Sequence, residues 1–190
     1  KKRELCKTYH MAAERVSGNY KDFIRDVDAV DVVTPTDSHF DLCKEALEAG
    51  KDVFVEKPFT ATAAQADELR RLAEKKKKIV QLGHIFRYNP ATRELKRMIS
   101  EGELGKCRYI YGTFAGFKRM RTDVGVTQTD SIHYFDTVNY LLDSFPDRVL
   151  SVQRDTTGRG LEDISITMLD YGETLVKIES GYHHPVVNRD

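Results

Sequence analysis

Net charge is the first thing this sequence lacks. Thirty lysines and arginines offset thirty aspartates and glutamates, so no long-range field draws the chain to nucleic acid or to an anionic membrane. The run Lys75-Lys76-Lys77-Lys78 reads as a solvated last helical turn, where cations suit the negative end of the helix dipole. Cysteine is scarce. Cys6, Cys43 and Cys107 are odd in number and far apart, with neither a disulfide framework nor metal-ligand spacing, which fits a reducing cytosol. No apolar run reaches membrane-spanning length and no signal peptide stands at the start. These absences predict a soluble cytoplasmic protein with no metal and no nucleic-acid or membrane partner.

A glycine-rich phosphate loop is missing too. The one G-x-G, Gly158-Arg-Gly160, precedes a strand-like run through Ile164, Ile166 and Met168 rather than a helix, so it reads as a hairpin turn. Lys1 to Met11 reads as a charged helix with no strand ahead of it. A doubly wound domain begun there would leave its central strands unpaired, so the chain is expected to be an interior piece of a longer protein.

What is present is a rhythm. The 190 residues suffice for one good core or two small domains. Residues 27–33 form an apolar strand. Asp37 or Ser38 then caps a helix carrying Phe40, Cys43, Ala46 and Leu47, with Asp41 as capping-box partner and Gly50 as its closing glycine. Residues 51–57 form a second strand, apolar on both faces, that Pro58 ends. A helix over 61–77 and a strand over 78–83 follow. Strand and helix alternating on short connections predict a doubly wound parallel sheet, with Glu56 and Lys57 at its carboxyl edge, where ligands sit.

Near residues 84–90 the pattern changes. Asn89 and Pro90 open a helix that closes near Gly102, and β-like runs cover 107–115, 148–154, 163–170 and 174–182. A helix over 131–142 interrupts them, with Ile132, Phe135, Val138 and Leu142 on its apolar face and His133, Asp136 and Tyr140 on another. The expected architecture is α/β: a partial Rossmann domain over 1–86, then an α+β domain over 87–190 with a mostly antiparallel sheet. Tyr109 and Tyr111 alternate with Ile110, Phe114, Val176 and Ile178, which puts aromatic groups on a second sheet face open to a partner subunit.

Several residues have the chemistry of a site. Lys57 at a strand end can hold a reacting oxygen, against the commoner fate of a surface lysine. His133 can carry a proton, or only bond a loop behind an Asp130 cap. Thr34, Pro35 and His39 lie at a strand-to-helix junction suited to cofactor contact, with capping as the other reading of His39. His84 and Arg87 lie at the domain junction and can touch either ligand, unless Arg87 makes an interdomain ion pair. Tyr182, His183 and His184 read as a surface or sugar contact rather than a metal site.

Taken in order, Thr34-Pro-x-x-x-His39, Glu56-Lys57-Pro58, Gly83-His-Ile-Phe-Arg-Tyr-Asn-Pro90, Gly102-Glu-Leu-Gly105 and the helix opening on His133 and Asp136 resemble the glucose-fructose oxidoreductase and inositol dehydrogenase family. The resemblance covers essentially the whole chain. It implies a Rossmann domain followed by an open-faced sheet domain, with the first strand, its glycine loop and the second strand preceding Lys1 and the last of the second sheet following Asp190. It implies NAD or NADP as cofactor and a hydride exchanged with a sugar-like carbinol or ketone. It also implies a homodimer or homotetramer. Residues 83–90 and Arg121-Thr-Asp-Val-Gly-Val126 look like the branch acting on nucleotide-linked sugars, such as UDP-N-acetylhexosamines.

By the same comparison Lys57, His133 and Asp130 are the catalytic candidates. Thr34, Pro35, His39, Glu56, Lys57 and Arg87 would hold cofactor, and His84, Thr129 and Tyr182 substrate. One departure stands out: relatives place an aspartate where this chain has Thr129, with Asp130 one step later. A non-catalytic ligand sensor or assembly protein is the competing class.

Overall fold

A computed structural model describes residues 2–184 and the backbone of 188–189. After the short helix α1 (Lys2–Thr8), strands β1 (Ala29–Val32), β2 (Asp52–Val55) and β3 (Val80–Leu82) pair in parallel in that order, as expected. Val53 and Val55 are buried, and the apolar residues of α2 (His39–Glu48) pack on them through Cys43, Ala46 and Leu47. Helix α3 (Ala63–Lys76) adds Leu69 and Ala73 to the same core.

The helix ends follow local chemistry. Gly50 and Gly102 take positive φ after α2 and after α4 (Pro90–Ser100), where a side chain would strain the turn. At each, paired backbone bonds close the helix, Lys51 N–H to Ala46 and Glu103 N–H to Met98, both 3.0 Å. Asn89 caps α4 by accepting from Ala91 N–H at 2.8 Å. The start of α2 departs from expectation. Thr36–Ser38 form a 3-10 turn first, and the Ser38 hydroxyl turns back to Thr34 and the Pro35 carbonyl, both 2.7 Å, so neither Ser38 nor Asp37 caps α2 by its side chain.

The second lobe is a five-stranded sheet in the order β5-β6-β7-β4-β8: Arg148–Arg154, Ile164–Asp170, Leu175–Gly181, Tyr109–Ala115 and Asn188–Arg189. Only β4–β7 is parallel, so the sheet is mostly antiparallel. Gly158 and Gly160 lie in the turn joining β5 to β6, as read. Helix α5 (Ile132–Leu142) covers one face, packing Val138 on Leu169, Val176 and Ile178. Leu141 is also buried there, a position the expected apolar face omitted. Gly112 has to be glycine, because an added Cβ would lie 2.8 Å from the Tyr134 ring. Among the described residues, nothing packs over the other face. Tyr109, Tyr111, Leu150, Val152, Ile166 and Leu175 are exposed.

Candidate active site

The three parallel strands end together. Glu56 N–H donates to Val32 and Gly83 N–H to Val55, both 2.9 Å, so the ladder reaches the Glu56-Lys57-Pro58 corner. The Lys57–Pro58 peptide is cis. Lys57 Nζ donates to the Thr129 carbonyl at 2.6 Å, spanning from the first lobe to the entry of α5. Burial pushes the Lys57 pKa down; Asp130 opposes that, and the positive charge of Arg121 reinforces it.

The entry of α5 explains how a helix start reaches that corner. Thr127–Ser131 form a π-helical turn, a wider winding than the α-helix that follows. Glu162 caps it by accepting from Thr127 N–H at 3.1 Å. Gly125 makes room for that carboxylate, which an added Cβ would strike.

His133 lies in the first turn of α5 between Phe86, edge-on at 5.1 Å, and Phe114 at 5.8 Å. Its Nδ1 is buried without a hydrogen-bond partner. Burial pushes its pKa down to about 4, helped by the charge of Lys57. The imidazole is therefore neutral near pH 7, and its neighbours are a lysine and aromatic rings.

His133 shares its helix face with Asp136, which receives Arg87 through Nε (2.9 Å to each oxygen) and Nη2 (2.6 Å). Arg87 also lies over the Tyr140 ring, 5.4 Å from its centre. His84 Nδ1 stands 3.9 Å from Asp136 Oδ2 and is likewise buried without a hydrogen bond. Burial lowers the pKa of His84 too, against the pull of Asp136.

Residues 116–126 form a strap back to the first lobe. Lys118 pairs with Asp130 and lies 3.8 Å over the centre of the Phe114 ring. Arg121 grips Asp123 through Nε and Nη2. Those side-chain bonds hold the Asp123 carboxyl well below the usual range. Asp123 accepts from Thr36 N–H at 3.1 Å, and Arg121 reaches the Thr36 hydroxyl at 3.3 Å.

The candidates thus separate. Lys57, His133, His84 and Glu56 gather at the carboxyl edge, where Glu56 accepts from Lys57 N–H at 3.2 Å. Thr34 and Pro35 are exposed at the end of β1. His39 is 1% exposed, and its ring nitrogens meet the Pro58 and Thr34 carbonyls at 2.9 and 2.8 Å, so its side chain links two strand ends. Arg87 is engaged by Asp136, an ion pair within the second domain. The side chains of Thr129 and Tyr182 are buried and bonded to each other, so neither presents its hydroxyl openly to a substrate. Thr129 meets Lys57 through its carbonyl. Asp130 is tied to Lys118.

Thr36, Lys118 and Asp123 were not anticipated. Three cations within residues 118–121, with an aspartate two residues after the last of them, were the available signal. Among the described residues, no group of three or more His, Cys, Asp or Glu is arranged to hold a metal, and no helix is long and apolar enough to cross a membrane.

A parallel α/β lobe whose carboxyl edge faces the covered side of a mostly antiparallel sheet defines a two-lobed, dinucleotide-fold protein with its crevice between the lobes. The family model for the NAD-binding Rossmann fold of an oxidoreductase family matches residues 1–84, and the GFO/IDH/MocA C-terminal domain matches residues 92–189. The chain belongs to the GFO/IDH/MocA family. Among curated relatives, scyllo-inositol 2-dehydrogenase (NAD(+)) of Bacillus subtilis (strain 168) is 35% identical over 125 residues, covering 61% of this chain and 35% of the relative. UDP-N-acetylglucosamine 3-dehydrogenase of Acidithiobacillus ferrooxidans is 34% identical over 130 residues, covering 68% and 40%. An inositol dehydrogenase homolog from Azotobacter vinelandii, solved with NADH and myo-inositol, shares the fold at a TM-score of 0.90 and 22% identity, covering 98% of this chain and 55% of that one. The chain therefore spans well under half the length of those curated relatives and about half of the solved one.

Proposed function

We propose that the chain is part of an NAD(P)-dependent oxidoreductase that exchanges a hydride with a carbinol or ketone carbon of a sugar or nucleotide-linked sugar. One observation carries this reading: Lys57, half-buried at the carboxyl edge of the parallel sheet, donates to the entry of the helix bearing His133. The edge suits a nicotinamide. Thr34 and Pro35 are exposed there, and a crevice of about 690 Å³ opens beside Pro35. The bound cofactor would supply the hydride acceptor or donor. The proton is the work of this chain. Lys57 hydrogen-bonds the reacting oxygen and stabilises negative charge on it. Neutral His133 accepts the hydroxyl proton during oxidation and returns it during reduction. Phe86 and Phe114 keep water from the ring.

Two domains, 1–86 and 87–190, hold the two halves of this site, and the open sheet face joins copies into a homodimer or homotetramer. Three unpaired cysteines accord with the cytoplasm. A non-catalytic sensor is favoured by two observations: no carboxylate bonds His133 Nδ1, and Asp130 is engaged by Lys118. Titrating the full-length protein against NADH and NADPH decides between them. Fluorescence quenching or a blue shift of the nicotinamide is the expected result, and none at concentrations far above ordinary dissociation constants would favour the sensor.

A further inference from the structure

Glu162 has no part in the proton chemistry, yet it touches the start of the helix that bears His133. It stands just before β6 and reaches the π turn from the second sheet. Its backbone carbonyl accepts from Val126 N–H at 3.0 Å, and its Oε1 from Thr127 N–H at 3.1 Å. Gln153 of β5 donates to the Thr127 hydroxyl at 3.0 Å. The Thr127 carbonyl accepts from Ile132 N–H, five residues on, which is the bond that winds the turn as π rather than α. Thr127 is thus fixed at all three of its polar groups, two of them by the β5–β6 hairpin.

Gly125 completes the fit. A Cβ added there would collide with both oxygens of the Glu162 carboxylate, so that side chain can lie where it does only over a glycine. Gly125 takes no positive φ; the site uses its missing Cβ, not its backbone freedom. Its carbonyl accepts from Thr129 N–H at 3.1 Å and from the Thr129 hydroxyl at 3.0 Å. With Thr129 tied at both ends, its own carbonyl meets Lys57 Nζ at 2.6 Å. Rewinding these residues as an α-helix would swing that carbonyl about the axis, because the two windings differ in residues per turn. Asp130 and Glu56 are the anions whose charge reaches the Lys57 ammonium. A lysine released toward them would be less free to hold a reacting oxygen.

We propose that Glu162 is a positioning residue for Lys57: seated over Gly125, its carboxylate pins the head of the π turn, so that the Thr129 carbonyl holds the ammonium in place. What Lys57 does there rests on the oxidoreductase reading. The inference adds to that site a residue from the far side of the second lobe, which acts only through the backbone of residues 125–129.

The test needs neither substrate nor cofactor. A brief pulse of acetic anhydride at one fixed pH labels lysine amines, and mass spectrometry of the peptides gives the rate at each. In Glu162→Ala, Lys57 should be labelled about three- to tenfold faster, the order expected when one net hydrogen bond is lost. Lys44 of α2 and Lys96, which donates to the Leu141 carbonyl at the far end of α5, should keep their rates. Gly125→Ala, which drives the carboxylate from its seat, should reproduce the rise at Lys57. Alanine at 162 leaves space for the added Cβ, so the double variant should be no faster than either single one. Glu162→Gln keeps an acceptor oxygen of the same reach and should restore the wild-type rate. Unchanged labelling of Lys57 in both alanine variants overturns the proposal. So does an equal rise at Lys44 and Lys96, which marks a general loosening, or a glutamine variant as fast as the alanine one. The NADH titration of the full-length protein separates the two readings. Labelling as expected without NADH binding defeats the oxidoreductase reading and leaves Glu162 positioning Lys57; NADH binding with unchanged labelling defeats this inference alone.

Discussion

A lysine that donates to a carbonyl rather than to a carboxylate keeps its charge available. Lys57 is in that position, and the neutral His133 beside it is the complementary group. If both act on one proton transfer, Lys57→Ala and His133→Ala in the full-length enzyme should each lower turnover by about two to four powers of ten. Cofactor affinity should change little, and the double variant should lose less than the sum. Asp130→Asn is expected to retain far more turnover than His133→Ala while lowering stability, because Lys118 loses its partner in a half-buried setting. Steady-state kinetics with a parallel urea titration reads both effects. His133 also gives a pH dependence of stability. Its pKa of about 4 in the fold lies below the unfolded value near 6.5, so between those values the unfolded chain binds more protons. Stability should therefore fall as pH drops from about 6.5 to 4. His133→Asn should flatten that slope in urea midpoints measured across the window, leaving the part due to His84, whose pKa is shifted the same way.

At the scale of elements, the chain's ends and turns can be weighed one at a time. Asn89 is a well-formed cap, so Asn89→Ala should cost about 1 kcal/mol in chemical denaturation. Lys77 closes α3 at φ 55, a conformation glycine adopts freely, and Lys77→Gly should gain a few tenths of a kcal/mol or more. Such features were legible because they depend on near neighbours: the Val53-Phe54-Val55 run stopped by Pro58, Asn89 before Pro90, and Gly50 and Gly102 after periodic segments. The start of α2 was misread even at this range, since a serine hydroxyl can bond backward as well as cap forward. Harder still were the contacts that build the site. Thr36 meets Asp123 across 87 residues, and Lys57 meets Thr129 across 72. No period or spacing encodes such pairings. His39 is an example: its place in Thr-Pro-x-x-x-His gives no sign that both ring nitrogens meet the carbonyls of Thr34 and Pro58.

For the whole molecule, the uncovered sheet face is the feature that calls for a partner. Period-two alternation had already assigned Tyr109 and Tyr111 to one face of β4 and Ile110 and Phe114 to the other, because a strand pleat leaves no third choice. The sheet's strand order then gathers what no single strand reveals: Leu150 and Val152 of β5 face outward beside Ile166 of β6, with Tyr111 and Leu175 further along. An exposed apolar face of this kind, crossed on β7 by the Lys177–Glu179 pair, is a usual mark of an interface. A second copy is the occupant expected, since the same face on two copies can meet about a twofold axis. Light scattering at micromolar concentration should give the mass of a dimer or tetramer. Leu150→Glu combined with Ile166→Lys should shift that mass to the monomer without a change in far-ultraviolet circular dichroism, since both side chains already face solvent within one chain. A strictly monomeric wild-type protein would leave the face to a different partner.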